Sequence, residues 1–479
     1  MSCGRARPAS RQEECRRTPD DVLLDIFDLY RKSHYSRPNP RPVWKWHLLV
    51  HVCQRWRQII FLSPLRLNLQ ILCTYGTPVR KNLGIWPAFP IALDFALRGY
   101  IMPGDEDIAI TALGHFDRVS CIKIVLTDSQ LEKMVKMMLE PFPLLTHLAI
   151  YLTSSRIPVL PDGFLGGSAP RLQIIHLDGI SLPALSTLLL STTNLVDLTL
   201  SSIPPTGYIP PEAMVACLVA FPRLKLFTIK FEGYTSPDRI RPPPATRSIL
   251  PALTSFHFKG TYMDLVSQID CPQLFWIWID YLKHPVDLPV TQLSEFIDRS
   301  VGSELIPSRR AHISLHSTRV AFTLYRGENY PGWDRPPVET TIFPNLFRCR
   351  IPETAKVLSQ FSPTLYAVVH LQSEINAQSL MERAYEADWL HLFCQFPAMQ
   401  TLDVSGSLSD YVALAFEDIT MERVPEVFPS LRLIFLEGKP ASFVETIVAS
   451  RRLSDRPVTF AETRVKFEKI LQSHVIVSE

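Results

Sequence analysis

Residues able to do chemistry are scattered along this chain, and few of them stand at the spacings that chemistry requires. His47 and His51 lie four apart with Cys53 close by, a separation that sets two imidazoles on one helix face, as two metal ligands can be. On a continuing helix Cys53 falls about 160° round from His51 and faces away. No further Cys or His group lies near in sequence, so ordinary solvated or hydrogen-bonded histidines are expected, with no metal. Asp105, Glu106 and Asp107 precede an apolar segment and suit the positive end of a helix better than paired acid–base work. Gly-x-Ser-x-Gly, Gly-x-x-x-x-Gly-Lys-Ser/Thr and Gly-x-Gly-x-x-Gly are all absent, which removes the nucleophile elbow and the two phosphate-cradling loops. The expectation is a protein without catalysis or cofactor, which leaves binding as the function class.

The elements that must position a binding surface come from a repeated phrase, Leu-x-x-Leu-x-Leu with substitutions. Copies start at Val119, Leu145, Leu172, Leu195, Leu224, Leu253 and Leu274, 21 to 29 residues apart. Others start at Leu346, Met399 and Leu431, and the gaps leave room for degenerate copies near Ile313-Ser314-Leu315 and Leu365. The interval is that of leucine-rich repeats. Alternation at the last two apolar positions makes a short strand with one buried face. The segments between read as helices, since Leu131, Met134, Val135, Met138 and Leu139 form one apolar stripe at helical spacing. A strand and a helix per repeat cannot bury a core alone, whereas stacked neighbours share one. The predicted fold is therefore α/β: an N-terminal helical hairpin, then an irregular solenoid with a parallel sheet on its concave side.

In such a sheet the residues between the buried leucines share the other face: His147, His176, Asp197, Lys230, His257, Lys259, Trp276, Trp278, Arg348, Arg350, Asp403 and Phe435. Trp276 and Trp278 flank Ile277 and must point the same way. With Lys230, Lys259, Arg348 and Arg350 they form the predicted substrate-binding surface, because Trp and Arg dominate protein hot spots. Covering by the chain's own loops, Thr235–Thr246 and Tyr330–Pro337, is the competing expectation.

Ahead of the repeats, Val22, Leu23, Ile26, Phe27 and Tyr30 fall at helical spacing behind Asp20 and Asp21, and acidic residues suit a helix N-terminus. Leu49, Val50, Cys53, Trp56 and Ile60 repeat the geometry. Two short helices of this kind cannot bury all their apolar surface on each other. The residues Pro19, Asp21, Val22, Leu23, Ile26 and Phe27, followed by Leu49, Val52, Cys53, Arg55, Trp56 and Arg57, resemble an F-box. With Ser63-Pro64-Leu65-Arg66-Leu67-Asn68-Leu69 and Trp86-Pro87, the stretch of roughly residues 18 to 100 is similar to fungal F-box-like proteins carrying leucine-rich repeats. Thr18 departs from the family's opening Leu, and the Ser36–Pro42 loop is longer than in a compact F-box.

The arginine-rich start predicts a disordered basic tail over 1–17, the resemblance implies an F-box-like domain over 18–75, and the repeats predict the solenoid over 76–479. The resemblance further implies that Pro19, Leu23, Leu24, Ile26, Phe27, Val52, Cys53, Trp56 and Arg57 comprise the contact with the Skp-type adaptor of a cullin ubiquitin ligase together with the hairpin's own core. The solenoid would then hold an unknown protein substrate. The alternative is a scaffold whose hairpin only caps the repeats.

Bulk properties set limits. Net charge is +2, from 49 basic and 47 acidic residues, without the concentrated basic patch a nucleic-acid surface needs. The apolar run Ala213–Phe221 is far short of the roughly 20 residues of a membrane span. Nine single cysteines with no Cys-x-x-Cys pair indicate neither a zinc cage nor a disulfide framework. With no sequon and no signal peptide expected, a cytoplasmic or nuclear location follows.

Overall fold

In the computed structural model, the structure describes residues 18–35, 46–64, 66–75, 83–84, 86–96, 103–153, 158–181, 187–204, 207–232, 247–261, 264–281, 290–300, 310–315, 320–326, 338–344, 355–356, 358–361, 365–375, 391–405, 429–436 and 458–461. Arg348, Arg350, the phrase from Leu346, the tail 1–17 and the loops Ser36–Pro42, Thr235–Thr246 and Tyr330–Pro337 lie outside these. The chain is mixed α/β and packs as two compact units, residues 1–156 with 160–172, and residues 157–159 with 173–479.

The first unit begins with α1 (Asp20–Tyr35), α2 (Trp46–Leu49) and α3 (Gln54–Leu62). Its strands are β1 (Ile71–Cys73), β2 (Ile91–Asp94), β3 (Val119–Leu126) and β4 (His147–Leu152), each parallel to the next. Between β2 and β3 runs α4 (Pro103–Leu113), with Asp105 and Glu106 in its first turn as expected, and between β3 and β4 runs α5 (Asp128–Met137). Ile122, Ile124, Leu148 and Ile150 are fully buried, as are Ala109, Ala112 and Met134 of the helices. The helical hairpin therefore shares its unit with four strands, and the units divide at 156–173 rather than at residue 75.

Two helix expectations change. The single apolar helix read through Leu49–Ile60 is interrupted: α2 stops at Leu49, and Cys53 is extended (φ −157, ψ 169) as the N-cap of α3, its Sγ accepting from the Trp56 N–H at 3.4 Å. His51 lies in that interruption, so the helical spacing assumed for His47 and His51 does not exist. The Met stripe also ends early. Leu131, Met134 and Met138 are buried, but Met138 is already the C-cap of α5 and Leu139 is exposed.

The second unit carries β5 (Ile174–Asp178), α6 (Thr187–Ser191), β6 (Asp197–Ile203), α7 (Pro211–Val219), β7 (Leu226–Phe231), β8 (Ser248–Ile249), β9 (Ser255–Gly260), α8 (Asp264–Gln268), β10 (Ile269–Asp270), β11 (Trp276–Tyr281) and α9 (Val290–Ser300). β12 (Arg310–Leu315), β13 (Val320–Arg326), β14 (Val338–Pro344), β15 (His370–Ile375), β16 (Thr401–Ser405), β17 (Leu433–Leu436) and β18 (Thr459–Ala461) complete it. The main sheet of this unit runs β5-β6-β7-β9-β11-β14-β13-β12-β15-β16-β17-β18. Helix α7 packs on α8, and α8 on α9. β9 meets α9 through Phe256 and Phe296, ring centroids 5.9 Å apart.

The repeated phrase has a structural counterpart at seven of the eight described copies after the first. The N–H of Leu145, Leu172, Leu195, Leu224, Leu253, Leu274 and Met399 donates to the carbonyl three residues back, at 3.0 to 3.4 Å. That turn aims the chain into the sheet, and a strand starts two residues on. The later apolar positions of the phrase, such as Phe256, Phe258, Ile277 and Ile279, are at most 2 % exposed. Leu365 also precedes a strand, β15, and the Ile313 segment lies in β12.

The expectation of a wholly parallel sheet fails at β13, which is antiparallel to both β12 and β14. Leu315 and Val320 are partners across the sheet with four residues between them. A parallel connection needs a crossover of about a dozen residues, so the chain must double back. β14 returns parallel beside β11, and β12 parallel beside β15.

Candidate functional site

In the first unit α1 carries two apolar arcs. At about 100° per residue, Leu23, Leu24 and Phe27 point one way, and they are 3 %, 7 % and 0 % exposed. Val22, Ile26 and Leu29 cluster roughly 140° away, and they are 45 %, 46 % and 65 % exposed. The buried arc meets α3, where Phe27 and Trp56 stand edge to face at 4.8 Å. Charge pairs brace the same junction. Arg55 donates to the Thr18 carbonyl and the Asp20 carboxylate, and Arg66 reaches Asp25 at 2.8 Å. Thr18, in place of the family's Leu, is thus held through its backbone.

The predicted adaptor residues consequently separate into two groups. Leu23, Leu24 and Phe27 are internal, Trp56 is half-buried against Phe27, and Cys53 is half-buried. Pro19, Ile26, Val52 and Arg57 are exposed, with the Arg57 Nε donating to the Val50 carbonyl at 3.0 Å. Beside α3 an open depression of about 650 Å³ is lined by Cys53, Gln54, Arg57, Gln58, Phe61 and Leu62. Val22, Leu29, Leu48 and Leu62 were not singled out as contact residues. The i, i+4, i+7 spacing of Val22, Ile26 and Leu29 was visible in sequence, but it merged with the neighbouring buried arc.

In the second unit, alternation holds across β7, β9 and β11. Phe227, Ile229, Phe256, Phe258, Ile277 and Ile279 are buried, while Thr228, Lys230, His257, Lys259, Trp276, Trp278 and Asp280 are half-exposed. Register places Thr228, His257 and Trp278 in one row, and Lys230, Lys259 and Asp280 in the next. The three rings form a cluster: Trp276 to Trp278 is 5.8 Å between centroids, His257 to Trp278 5.4 Å and His257 to Trp276 6.2 Å. Burial, then Lys230 and Lys259, push the His257 pKa down to about 3. Asp280 approaches Lys259 only to 3.9 Å. On the same face His176 pairs with Asp197 at 2.9 Å. Phe435 does not follow the expectation, being 5 % exposed. Alternation assigns a side of the sheet, and withdrawing a phenyl ring from water is favourable on either side.

No family model matches the chain, and a search of curated proteins finds no relative. The functional reading therefore rests on these two surfaces. Among the described residues no group of three or more His, Cys, Asp or Glu side chains could hold a metal ion. Nor is any described helix long and apolar enough to cross a membrane.

Proposed function

We propose that the chain is an F-box-type substrate receptor, docking a target protein onto a Skp–cullin–F-box ubiquitin ligase by protein contacts alone. The observation that carries the reading is the double arc of α1. Leu23, Leu24 and Phe27 already secure the helix to its unit, and Val22, Ile26 and Leu29 remain as apolar surface with no internal role. Exposed apolar residues gathered on one helix face mark an interaction site, and Leu48, Val52 and Leu62 add exposed apolar area on the following helices. The finer fold reading belongs here too. The turn–strand phrase and its repeat interval support an irregular leucine-rich array behind an F-box-like hairpin. Such a receptor works by holding its target close to the conjugating enzyme, which raises the effective concentration of the target's lysines. It acts in the cytoplasm or nucleus.

The rival reading, a hairpin that only caps the repeats, is favoured by the burial of Leu23 and Phe27. It leaves the outer arc without a role. The test is capture of the purified chain by its Skp-type adaptor, with a Val22→Ser/Ile26→Ser double variant alongside. Capture of wild type but not of the variant, with native circular dichroism in both, is the expected result. A folded wild type that fails to bind leaves the cap.

A further inference from the structure

We propose that the β7–β9–β11 part of the half-exposed sheet face is the docking site for an acidic segment of a partner protein, its carboxylates on Lys230 and Lys259 and an adjoining apolar side chain on Trp276 and Trp278. This deepens the receptor reading and rests on it only for calling the bound segment a substrate.

The chemistry follows from neighbouring rows. Trp276 and Trp278 supply two indoles 5.8 Å apart, both half-exposed. Tryptophan is an effective anchor because it offers large apolar area with few torsions to freeze. The next row along the strands presents Lys230 and Lys259 as register partners. Two like charges side by side are unfavourable unless something between them carries the opposite sign. Lys230 has no ion-pair partner among the described residues, and Lys259 has only Asp280 at 3.9 Å.

Among the described residues no acid other than Asp280 reaches either lysine at ion-pair distance. Glu232 follows Lys230 by two positions and is exposed, without reaching ion-pair distance. Glu339 is in register with Trp276. That puts it two strands and four residues from Lys259, roughly 16 Å by strand spacing and beyond the Debye length of about 8 Å. His257, at the centre, feels its neighbours as positive, since the two lysines are the charges that help keep it unprotonated. It therefore adds no third charge and offers a neutral ring nitrogen for hydrogen bonding.

Two other anions fit less well. Nucleic acid needs a run of cations along a backbone, and the described residues of these two rows offer two. A free phosphate needs a cradle of backbone N–H groups or an arginine fork, whereas these strands spend their N–H groups on the ladder. A protein segment with carboxylates beside an apolar residue matches both rows together.

The experiment uses the full-length chain and four capped fluorescent pentapeptides, each with two glutamates on either side of Leu, Ile, Phe or Trp. Matched peptides carrying glutamine in place of glutamate serve as controls. Fluorescence anisotropy is expected to show binding of at least one glutamate peptide that weakens with added salt. Lys230→Gln/Lys259→Gln should weaken it ~tenfold or more, since charge-assisted bonds are the strong ones, and Trp276→Ala should weaken it independently. Circular dichroism confirms that both variants fold. No binding by any glutamate peptide, equal binding of the glutamine controls, or an unaffected double-lysine variant would each overturn the proposal. The adaptor plays no part in this measurement, so a failed adaptor capture and a failed peptide titration remain separate results.

Discussion

Phe27 and Trp56 meet edge to face with ring centroids 4.8 Å apart and planes at 67°, and this contact ties α1 to α3. The Trp56 indole N–H is buried without a hydrogen-bond partner among the described residues. An unmade buried hydrogen bond is unfavourable, so what holds the residue there is the apolar body of its ring.

Removing the other half of the pair should therefore be severe. Phe27→Ala is expected to destabilise the first unit by about 3–5 kcal/mol, the usual cost of deleting a fully buried phenyl. Ile26→Ala, one residue earlier on the exposed arc, should stay within about 0.5 kcal/mol. Urea denaturation of both variants checks the contrast. Similar losses would mean that the two arcs of α1 do not differ in burial.

A backbone position in the same unit makes a second pair of opposites. Gly166 has φ +64, and a Cβ there would sit 2.7 Å from the Pro141 backbone nitrogen. Gly166→Ala should cost about 1–3 kcal/mol through left-handed strain, with the Pro141 clash adding to it. Gly163, three residues earlier, has φ −81 and nothing within 4 Å of a built Cβ. Gly163→Ala should be neutral or slightly stabilising, because it restricts only the unfolded chain. Thermal melts of the two variants distinguish the cases.

Much of this architecture was legible because the repeat writes one physical requirement many times. Each phrase needs a turn, a strand and two buried apolar positions, so Leu253 predicts Phe256 and Phe258 without knowledge of anything distant. The same local rule placed Trp276 and Trp278 on one face. The break at Cys53 was not legible, since the apolar spacing of Leu49 to Ile60 runs straight through it and only the extended cap shows that the helix stops. The β12–β13–β14 insertion was hidden for a different reason. The direction of its strands depends on how few residues join Leu315 to Val320, which the phrase does not encode. The division of α1 into a core arc and an outer arc is a tertiary fact: both are apolar, and what packs against them decides which is buried.

The cysteines offer a check on burial across both units. Desolvation pushes the thiols of Cys73 and Cys271 up to about 12 and those of Cys121 and Cys217 up to about 11. The thiolate is the reactive species, and at pH 8 a thiol of pKa 11 is ionised to about 0.1 %. Iodoacetamide at that pH should leave all four unmodified in the native protein while labelling the exposed Cys394. In denaturant all five should react, as read by peptide mass spectrometry. Native labelling of Cys217 at the rate of Cys394 would show that α7 does not pack as described.

His257 gives the sign of one pH effect. Its folded pKa, about 3, lies below the ordinary histidine value of 6.5. Between those values the unfolded chain takes a proton that the folded chain refuses. Stability rises with pH wherever the unfolded state binds more protons. The His257 contribution is therefore fully present above pH 6.5 and is lost progressively as the pH falls towards 3. The charged groups around it are Lys230 on β7, Lys259 on β9 and Asp280 on β11, of which the lysines oppose protonation. His257→Asn keeps a polar side chain and removes the titration, so it should lose less stability than wild type between pH 6.5 and 4. Denaturant midpoints of the two proteins across that window supply the difference, which cancels the other titrating groups. Parallel curves, or a His257 imidazole resonance that titrates near 6.5, would mean that the two lysines and the tryptophans do not enclose the ring.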